Sequence, residues 1–573
     1  MPDYLVGMNV IETDGTATSA IVGAATSVAG FLVDSERGPI NTPIKINSWS
    51  DFLKAFGGHR KGWVGSFAVE GFFLNGGSEA YVVRPAKEGD LAAKGKCAKV
   101  TIGDTGGAAV GKDKKLPKVD ENAAKKKPSL TFFAGYHGEA NPGTWANNMV
   151  LRITRGNTET TPDGKVYDLI NIDIGIVKDG VVRFLESHPG LAPKDIELKL
   201  RLNSKLLAVD KDGFNPPQTW DQWLKAKNVI TDGKKIEEID KNLIGLDKTY
   251  DPSDDGIFVR LSDGADLTVK PMLGKEGFKF FDRVDIQMLA SPDGEYISRD
   301  PEGEWKMAKQ FIMEGRNYCF RRGDCMFVAS IPHTLGSNDI TKVISKTEGL
   351  RTGDRLGSYA ALYAPYVDVA DPDSPGDLIT IPPTGHILGV YARIDMQRGV
   401  WKAPAGDEAS LMGVMGLRHR YTDREHTNLV RKAHINCVRF VPGAGIVVDS
   451  SRTLSTKTIW WYVNVRRLFN YVKTSLKNGL RWVRQEPNKK ELWDTVKFNS
   501  VKPFMMNLWK QGAFGEGAPE EVFTIKCDAD NNPPYLVDQG IFTLEVYMYP
   551  SKPAETVVII VGQQDAGGSA GEA

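Results

Sequence analysis

The sequence predicts an α/β protein: a core with a mixed sheet built from both ends of the chain, interrupted by a β-rich inserted domain, with extended N- and C-terminal strand arms. Helical patterns alternate with short apolar runs up to residue 86, and the same alternation returns after residue 266. The stretch between them is dominated by strand-like runs and turns. Because alternating helices and buried strands are typical of one α/β core, the middle stretch is predicted to be an insertion.

The first part of the core, residues 21–86, is predicted to contain three strands and two helices. "VAGFLVDSERGPINTPIKI" indicates a strand, a Gly-Pro turn and a second strand. "NSWSDFLKAFGG" indicates a short helix, since Ser48 and Asp51 have the spacing of a capping box, with Asp in place of Glu, and Gly57 can end the helix. "SFAVEGFFLNGG" indicates the second helix and "EAYVVRPA" a buried strand.

The insertion, residues 87–265, begins with a change in composition. Residues 87–128 hold eleven lysines and no aromatic residue, which is typical of a solvated linker or loop. Strand-like runs follow up to residue 210. Residues 211–265 are polar, with one possible helix at "TWDQWLKAKNVI".

The second part of the core, residues 266–550, returns to the α/β pattern. "WKMAKQFIMEGRNYC" indicates a helix, and "CMFVASIP" and "SYAALYAPYVDV" indicate strands. In "EPNKKELWDTV", Asn488 can cap a helix and Glu491 has the capping-box spacing. The runs "EVFTIKC" and "IFTLEVYMY" are strand-like, and "TVVIIVG" indicates one more strand in residues 551–573, before a tail that is predicted to be disordered.

The clearest amphipathic helix is "VNVRRLFNYVKTSLKNGL". At helical spacing its apolar and basic side chains separate onto two faces. The apolar face comprises Val465, Leu468, Phe469, Val472, Leu476 and Leu480. The opposite face, predicted to be solvated, comprises Arg466, Arg467, Lys473, Lys477 and Arg481.

Composition bounds the class of protein. The 573 residues are 41% hydrophobic and carry no formal net charge, so the chain as a whole is not a polyanion binder, and its surface suits association with its own kind. The five cysteines are scattered and show no CxxC, which indicates a reducing cytoplasm rather than a disulfide framework. Residues 19–33 are too short and too rich in Ser, Thr and Gly to span a bilayer, and a buried strand is predicted there.

Motifs of catalysis or cofactor binding do not emerge from the sequence. It lacks GxxxxGK[ST], HExxH and GxGxxG. Residues 567–571 match GxSxG, but a nucleophile elbow needs a strand before it and a helix after it, and this match lies in a Gly/Ala tail. We therefore expect no enzyme activity, no catalytic residues and no cofactor.

Two segments resemble metal sites only superficially. His419, His426, His434 and Cys437 lack the paired spacing of zinc ligands, so structural roles are favoured. "CDADNNPP" begins like a calcium loop, but Pro533 stands where an EF-hand needs Gly, and a turn between strands is favoured.

Residues 452–510 carry thirteen Lys and Arg against three acids. The first interpretation is a solvated helix face, the second an acidic protein partner and the third nucleic acid. Nucleic-acid interfaces usually interleave exposed aromatics, whereas Phe469, Trp493 and Trp509 are predicted to be buried. We expect no direct nucleic-acid binding.

Several long motifs resemble contractile tail sheath proteins, the family found in contractile phage tails and phage-tail-like injection systems. The C-terminal region "VNVRRLFNYVKTSLKNGLRWVRQEPNKKELWDTV", "LWKQGAFGEGAPEEVFTIKCD" and "GIFTLEVYMYPSKPAETVVIIVGQ" is similar to theirs, as is "IPPTGHILGVYARIDMQRGVWKAPAG" upstream. "SERGPINTPIKINSWSDFLKAFG" and "GFFLNGGSEAYVVR" match the family's opening pattern. The resemblance covers about residues 20–85 and 270–563. Pro503 inside the last helix, the long lysine-rich loop and a loosely matching N-terminus depart from it.

The resemblance implies a structural subunit that forms stacked hexameric rings around an inner tube and contracts to drive the tube through a target envelope. Residues 1–20 and 551–573 would be arms that add strands to sheets of neighbouring subunits. The implied strand residues are Tyr4, Val6, Met8, Val10, Val557, Val558, Ile559, Ile560 and Val561.

The resemblance also implies the partners: further copies of the chain, the inner tube protein, and baseplate and terminal cap proteins. The candidate tube-facing residues are Lys473, Lys477, Arg481, Lys489, Lys490 and Lys497. The insertion would lie on the outside. Assembly would take place in the bacterial cytoplasm without membrane insertion, and the product would be a phage tail or phage-tail-like particle. The alternatives are an α/β enzyme with a β-rich accessory domain and a static self-assembling coat protein.

Overall fold

The computed structural model describes residues 21–103, 129–160, 164, 166–178, 181–212, 214–225, 256–299, 305–333, 339–372 and 374–556. The strands are β1 (Ala29–Leu32), β2 (Ile44–Ile46), β3 (Ala80–Val83), β4 (Lys99–Gly103), β5 (Ser129–Tyr136), β6 (Glu139–Ala140), β7 (Met149–Thr160), β8 (Val166–Lys178), β9 (Val181–Leu191), β10 (Leu207–Val209), β11 (Ile257–Arg260), β12 (Met288–Ala290), β13 (Met326–Ser330), β14 (Ala360–Ala364), β15 (Val367–Ala370), β16 (Leu378–Ile381), β17 (Gly416–Leu417), β18 (Ile435–Val441), β19 (Gly445–Val448), β20 (Phe523–Lys526) and β21 (Glu545–Met548).

The α-helices are α1 (Trp49–Phe56), α2 (Gly65–Leu74), α3 (Asp90–Gly95), α4 (Ile196–Asn203), α5 (Trp220–Lys225), α6 (Lys275–Phe278), α7 (Pro292–Ser298), α8 (Lys306–Arg322), α9 (Ile340–Thr347), α10 (Thr384–Arg398), α11 (Asp423–Asn428), α12 (Val463–Gly479), α13 (Lys490–Asp494), α14 (Lys502–Lys510), α15 (Pro519–Val522) and α16 (Pro534–Asp538).

An eight-stranded sheet forms the centre of the core, in the order β19-β18-β14-β13-β12-β1-β3-β2. The six inner strands run parallel, and the edge strands β2 and β19 run antiparallel to their neighbours. β1 pairs with β12, with Phe31 opposite Ala290, so the parts of the chain on either side of the insertion share one sheet. The predicted α/β fold with a mixed sheet built from both ends is confirmed.

Helices cover both faces of this sheet, as a parallel sheet requires. On one face Leu32 packs in an apolar cluster with Phe311 of α8. On the other face Phe31 packs edge-to-face on Phe72 of α2, with ring centroids 5.4 Å apart. Successive residues of a strand point to opposite faces, so the apolar run in β1 contributes to both layers.

The predicted start and end of α1 are confirmed. The Ser48 hydroxyl accepts a hydrogen bond from the Asp51 backbone N–H at 3.1 Å, and Gly57 follows the helix with a positive φ of 86°. The side chains of Phe52 and Phe56, four residues apart, are both buried under the sheet.

The insertion has an apolar cluster of its own, formed by residues between 97 and 261. It comprises one sheet of β10, β5 and β4, with β6 on β5, and a second sheet in the order β11-β7-β8-β9. The prediction that residues 87–128 are a solvated linker is wrong for residues 90–103, which form α3 and β4. There Val100 and Ile102 alternate into the cluster, a strand pattern that the surrounding lysines conceal. Residues 104–128 lie outside the described residues.

Arg84 joins the insertion to the core. It follows β3 and is 1% exposed, and its guanidinium donates to the backbone oxygens of Gly38 and Pro142 at 3.2 and 2.8 Å. Burial lowers the pKa of Arg84 to about 10, while the nearby Asp34 opposes this shift.

The C-terminal part packs α12, α13, α14 and the β20–β21 pair around a further apolar cluster. The predicted cap at Asn488 is wrong, because its side-chain oxygen accepts from the Trp493 indole at 2.8 Å and its amide donates to the Ile541 carbonyl. Pro503 does not break the helix that contains it. Residues Thr495–Val501 are wound as a π-helix, and Pro503 then lies in the first turn of α14, where proline is tolerated.

Candidate assembly interface

The predicted arm strands Tyr4, Val6, Met8 and Val10, and Val557, Val558, Ile559, Ile560 and Val561, lie outside the described residues. The described chain begins at Ile21 and ends at Thr556. We call residues 21–28 the N-terminal root and residues 551–556 the C-terminal root, because each lies directly next to a predicted arm.

The N-terminal root lies along α12. Ile21 is buried beside Gly479, where an added Cβ would stand 2.8 Å from the isoleucine side chain. The Ala24 N–H donates to the Ser475 hydroxyl at 2.9 Å. The Arg467 guanidinium donates to the Thr26 carbonyl at 2.9 Å. Three positions of one helix therefore hold this segment.

Arg467 also forms an ion pair with Asp395 of α10, and both side chains are almost fully buried. Burial raises the pKa of Asp395, and the attraction of Arg467 opposes that rise. The carboxylate thus anchors the arginine that holds the N-terminal root.

The prediction that Arg466 and Arg467 lie on a solvated face is wrong, because α12 is covered on both sides. The Arg466 guanidinium lies 4.0 Å from the ring centroid of Trp460 and 4.4 Å from that of Tyr359, and Arg466 is 1% exposed. Burial lowers the pKa of Arg466 to about 10. The faces of these aromatic rings attract the guanidinium cation. Arg466 can therefore be buried although it lies on the basic face of an apparently amphipathic helix.

The C-terminal root is held by the chain just before α12 and by its first turn. The Asn464 amide donates to the Ser551 carbonyl at 3.2 Å. The Glu555 carboxylate forms an ion pair with Arg452. Both roots therefore attach to the segment from residue 452 to residue 479.

The small sheet of β20 and β21 is a candidate acceptor for a strand. Among the described residues it has two strands, and no third strand pairs with either edge. Thr524 lies opposite Tyr547, and both are exposed. Two strands bury little apolar surface, so such a pair is stabilised by further strands or by packing.

The turn between β20 and β21 is held by an asparagine that sequence reasoning missed. Asn532, in the segment that begins like a calcium loop, is 1% exposed. Its side chain accepts from the Thr543 N–H at 2.7 Å and donates to the Thr543 carbonyl at 2.9 Å. This pair of hydrogen bonds imitates strand pairing. No sequence signal marks Asn532, because its burial depends on the tertiary structure.

An open groove of about 1270 Å³ lies between the end of α12 and β21. Its apolar lining includes Leu476, Leu480, Leu492, Leu544 and Val546. Its basic lining comprises Lys473, Lys477, Arg481 and Arg484, and its acidic lining comprises Asp285 and Glu486. The lining of the groove therefore combines apolar side chains with an excess of positive charge.

Three of the six candidate tube-facing residues lie at this groove. Lys473, Lys477 and Arg481 line it, and the Lys473 ammonium also donates to the Tyr359 hydroxyl at 3.0 Å. Lys489 and Lys490 are exposed at the start of α13. Lys497 lies 3.7 Å from the Asp528 carboxylate. The structure thus brings three of the six together.

The histidine-rich segment has structural contacts. The His434 ring lies 2.9 Å from the Thr453 carbonyl, and burial lowers the pKa of His434 to about 4. Cys437 lies in the core strand β18 and is fully buried. In the part of the chain that the structure describes, no cluster of three His, Cys, Asp or Glu side chains could hold a metal ion.

Two buried carboxyl groups lie at the carboxyl ends of the core strands, on α7. Asp293 accepts from the backbone N–H groups of Asp34, Val64 and Gly65 at 2.7–2.8 Å. Glu295 accepts from the backbone and hydroxyl of Ser330. Burial raises the pKa of Asp293 to about 7 and that of Glu295 to about 8. These groups tie loops together at this end of the sheet.

None of the helices in the described ranges has the length and apolar character that a membrane crossing requires.

The fold is shared with solved sheath structures. The anti-feeding prophage sheath in its contracted state matches with a TM-score of 0.50 and 18% identity, over 98% of this chain and 100% of that chain. A sheath tail protein from Desulfitobacterium hafniense matches with a TM-score of 0.51 and 10% identity, over 91% and 94%. A chain of the anti-feeding prophage baseplate structure matches with a TM-score of 0.51. At such identities these matches establish the fold.

Residues 325–454 match the family model of the phage tail sheath protein central domain. The tail sheath protein of Enterobacteria phage T4 is 24% identical over 321 residues, which are 52% of this chain and 45% of the relative. That of Vibrio phage KVP40 is 25% identical over 254 residues, 42% and 36% respectively. The matches span less than half the length of these relatives. The resemblance to contractile tail sheath proteins is confirmed.

Proposed function

We propose that the chain is the structural subunit of a contractile sheath. Copies assemble as stacked hexameric rings around an inner tube, and contraction drives the tube through a target envelope. The observation that carries this proposal is the arrangement of the two roots: both attach to α12 and the segment before it. The C-terminal root also directly follows the β20–β21 sheet, which pairs with no third strand among the described residues.

Strand donation supplies the contact between copies. Residues 557–561 are five consecutive β-branched residues, which suit a buried strand. Each main-chain hydrogen bond contributes a net ~0.5–1.5 kcal/mol, so a strand of about six residues with buried Val and Ile contributes several kcal/mol. Donation from one copy to the next is a heterologous contact, which extends into a helical polymer instead of closing a dimer.

Contraction takes its free energy from new contacts between subunit bodies. The arms keep the subunits tethered while the bodies rotate. The 87–265 insertion lies on the outside, and the baseplate and cap proteins cover the two ends of the polymer. We place assembly in the bacterial cytoplasm, as part of a phage tail or a phage-tail-like particle.

The basic groove contacts the inner tube. Its exposed Lys477 and Arg481, with Lys489 and Lys490 nearby, form a cationic surface that fits an acidic tube. Charged contacts between solvated surfaces are weak and depend on salt. A sheath must hold the tube and then slide along it, and contacts of this strength allow both.

The test is a pair of C-terminal deletions that leave the C-terminal root intact. Removing residues 557–573 deletes the arm strand, and we expect soluble subunits in place of long hollow tubes in electron micrographs. Removing residues 565–573 retains the strand, and we expect tubes. Unchanged tubes in the first variant would refute strand donation by this arm. A static coat would give tubes of constant length after acid or denaturant shock, whereas a sheath shortens.

A further inference from the structure

The C-terminal root lines a groove between the core and the C-terminal part. This groove, of about 700 Å³, is lined by Trp401 and Lys402 of the core, by Tyr462, and by Gln511 beyond α14. Residues 551–555 also line it and have no regular secondary structure. We call residues 551–555 the strap; they lie along the groove, and their position depends on how the two ends of the strap are fixed.

One end of the strap is fixed at Ser551. Its carbonyl accepts from the Asn464 amide at 3.2 Å, and its N–H donates to the Ala513 carbonyl at 3.4 Å. Both are hydrogen bonds between neutral groups, and one of them is long, so together they stabilise this end only weakly.

The other end is fixed by an ion pair. The Arg452 Nε donates to Glu555 Oε1 at 2.6 Å, and the Arg452 Nη2 donates to the second carboxylate oxygen. Such a two-bond geometry sets direction as well as distance. The Tyr462 hydroxyl lies 3.5 Å from the same carboxylate. Among the described residues, Glu555 is the only acid paired with Arg452.

Arg452 is itself fixed to the core. The residue is 4% exposed, and its guanidinium lies 4.3 Å from the ring centroid of Trp461. The side chain of Asn436, in strand β18, accepts from the Arg452 N–H and donates to its carbonyl. A pull on Glu555 is thereby transmitted to the eight-stranded sheet.

If the ion pair is absent, tension on the C-terminal arm reaches β21. This strand precedes the strap and pairs with β20 through four residue pairs, of which Phe523 and Met548 are nearest the arm. Tension on the arm would open these pairs one after another from that end. The ion pair lies between β21 and the arm, next to a single long hydrogen bond from the Arg431 guanidinium to the Thr556 hydroxyl at 3.4 Å. It therefore takes most of the tension before β21 does, and it separates only when both of its bonds break and a buried arginine loses its partner.

We propose that Arg452 and Glu555 form a clasp that fixes where the C-terminal arm leaves the body and protects β21 from the tension that a neighbouring copy exerts. This proposal rests on the proposed function, since the tension comes from a donated strand. Both residues are positioning residues, and the strand contact itself lies beyond them.

The test uses the full chain with Glu555→Gln, which keeps the shape and removes the charge. The matched control is Glu516→Gln, an exposed acid in the same part of the chain. In unassembled subunits, we expect backbone amides of residues 551–556 to exchange at least about tenfold faster in Glu555→Gln, while those of 545–548 are unchanged.

In assembled tubes, the amides of residues 545–548 should also exchange faster in Glu555→Gln, and the tubes should dissociate at a lower urea concentration. Glu555→Asp, with a shorter charged side chain, should fall between wild type and Glu555→Gln. Two results would overturn the clasp: tubes of Glu555→Gln that match wild type in both measurements, or β21 amides that are equally accelerated in free subunits. If wild type forms no tubes, the proposed function fails, and the unassembled exchange still tests the ion pair.

Discussion

Arg467 of α12 and Asp395 of α10 form a two-bond ion pair inside the protein, with 2.8 Å between Nη1 and Oδ1. Their side chains are 3% and 1% exposed. The same guanidinium donates to the Thr26 carbonyl. The N-terminal root is thus held by a side chain whose own position depends on a buried carboxylate.

Replacing Asp395 by Asn leaves Arg467 buried without its counter-charge. Breaking a buried ion pair in this way costs about 3–5 kcal/mol. We expect the free energy of unfolding, measured by urea denaturation, to fall by that amount. The double variant Arg467→Met/Asp395→Leu removes both charges and should recover most of the loss. A loss below about 1 kcal/mol in Asp395→Asn would contradict this account.

The double variant also distinguishes the global stability of the protein from the attachment of the N-terminal root. It lacks the donor to Thr26, so we expect proteases to cleave near residues 21–27 faster than in wild type, even where global stability is recovered. Equal cleavage rates would mean that Ala24 and Ile21 suffice to hold the root.

Glu295 is expected to make stability depend on pH. Its pKa is raised from 4.5 to about 8 by burial, so between these values the folded chain holds a proton that the unfolded chain has released. The contribution of Glu295 to the free energy of unfolding is therefore fully present below pH 4.5 and is lost as pH rises to about 8. In Glu295→Gln the decline of the free energy of unfolding over this window should be shallower by roughly 1 kcal/mol per pH unit.

Thermal unfolding of both proteins between these pH values measures the effect. Glu348→Gln, at an exposed position, is the matched control and should keep the wild-type slope. Asp293, whose pKa is raised to about 7, should leave a residual decline in Glu295→Gln. Parallel curves for wild type and Glu295→Gln would show that Glu295 is ionised in the folded chain.

Reversing the charge of the groove should weaken the contact with the inner tube and leave the sheath polymer intact. For Lys477→Glu/Arg481→Glu we expect about tenfold weaker cosedimentation with purified tube, and a smaller difference at high salt. Lys54→Glu/Lys61→Glu reverses two exposed lysines of the core and is the matched control. Equal tube binding by both variants would place the tube contact elsewhere.

The fold class, most core elements and the resemblance to sheath proteins can be predicted from the amino-acid sequence. The strand at β1 and the helix α1 follow from local pattern, since apolar periodicity and a capping serine act over a few residues. Local pattern also produced errors. The composition of residues 90–103 predicts a linker where α3 and β4 form, and the spacing at Asn488 predicts a helix cap that this residue does not make.

Which charged side chains are buried depends on the tertiary structure. Arg466 and Arg467 occupy the polar stripe of α12, and only the packing of two layers around that helix encloses them with Trp460 and Asp395. The pairing of Arg452 with Glu555 likewise joins residues 103 positions apart. A periodic sequence pattern predicts a helix and its two faces. Whether a charged side chain is buried depends on partner residues that lie far away in the sequence and come close only when the chain folds.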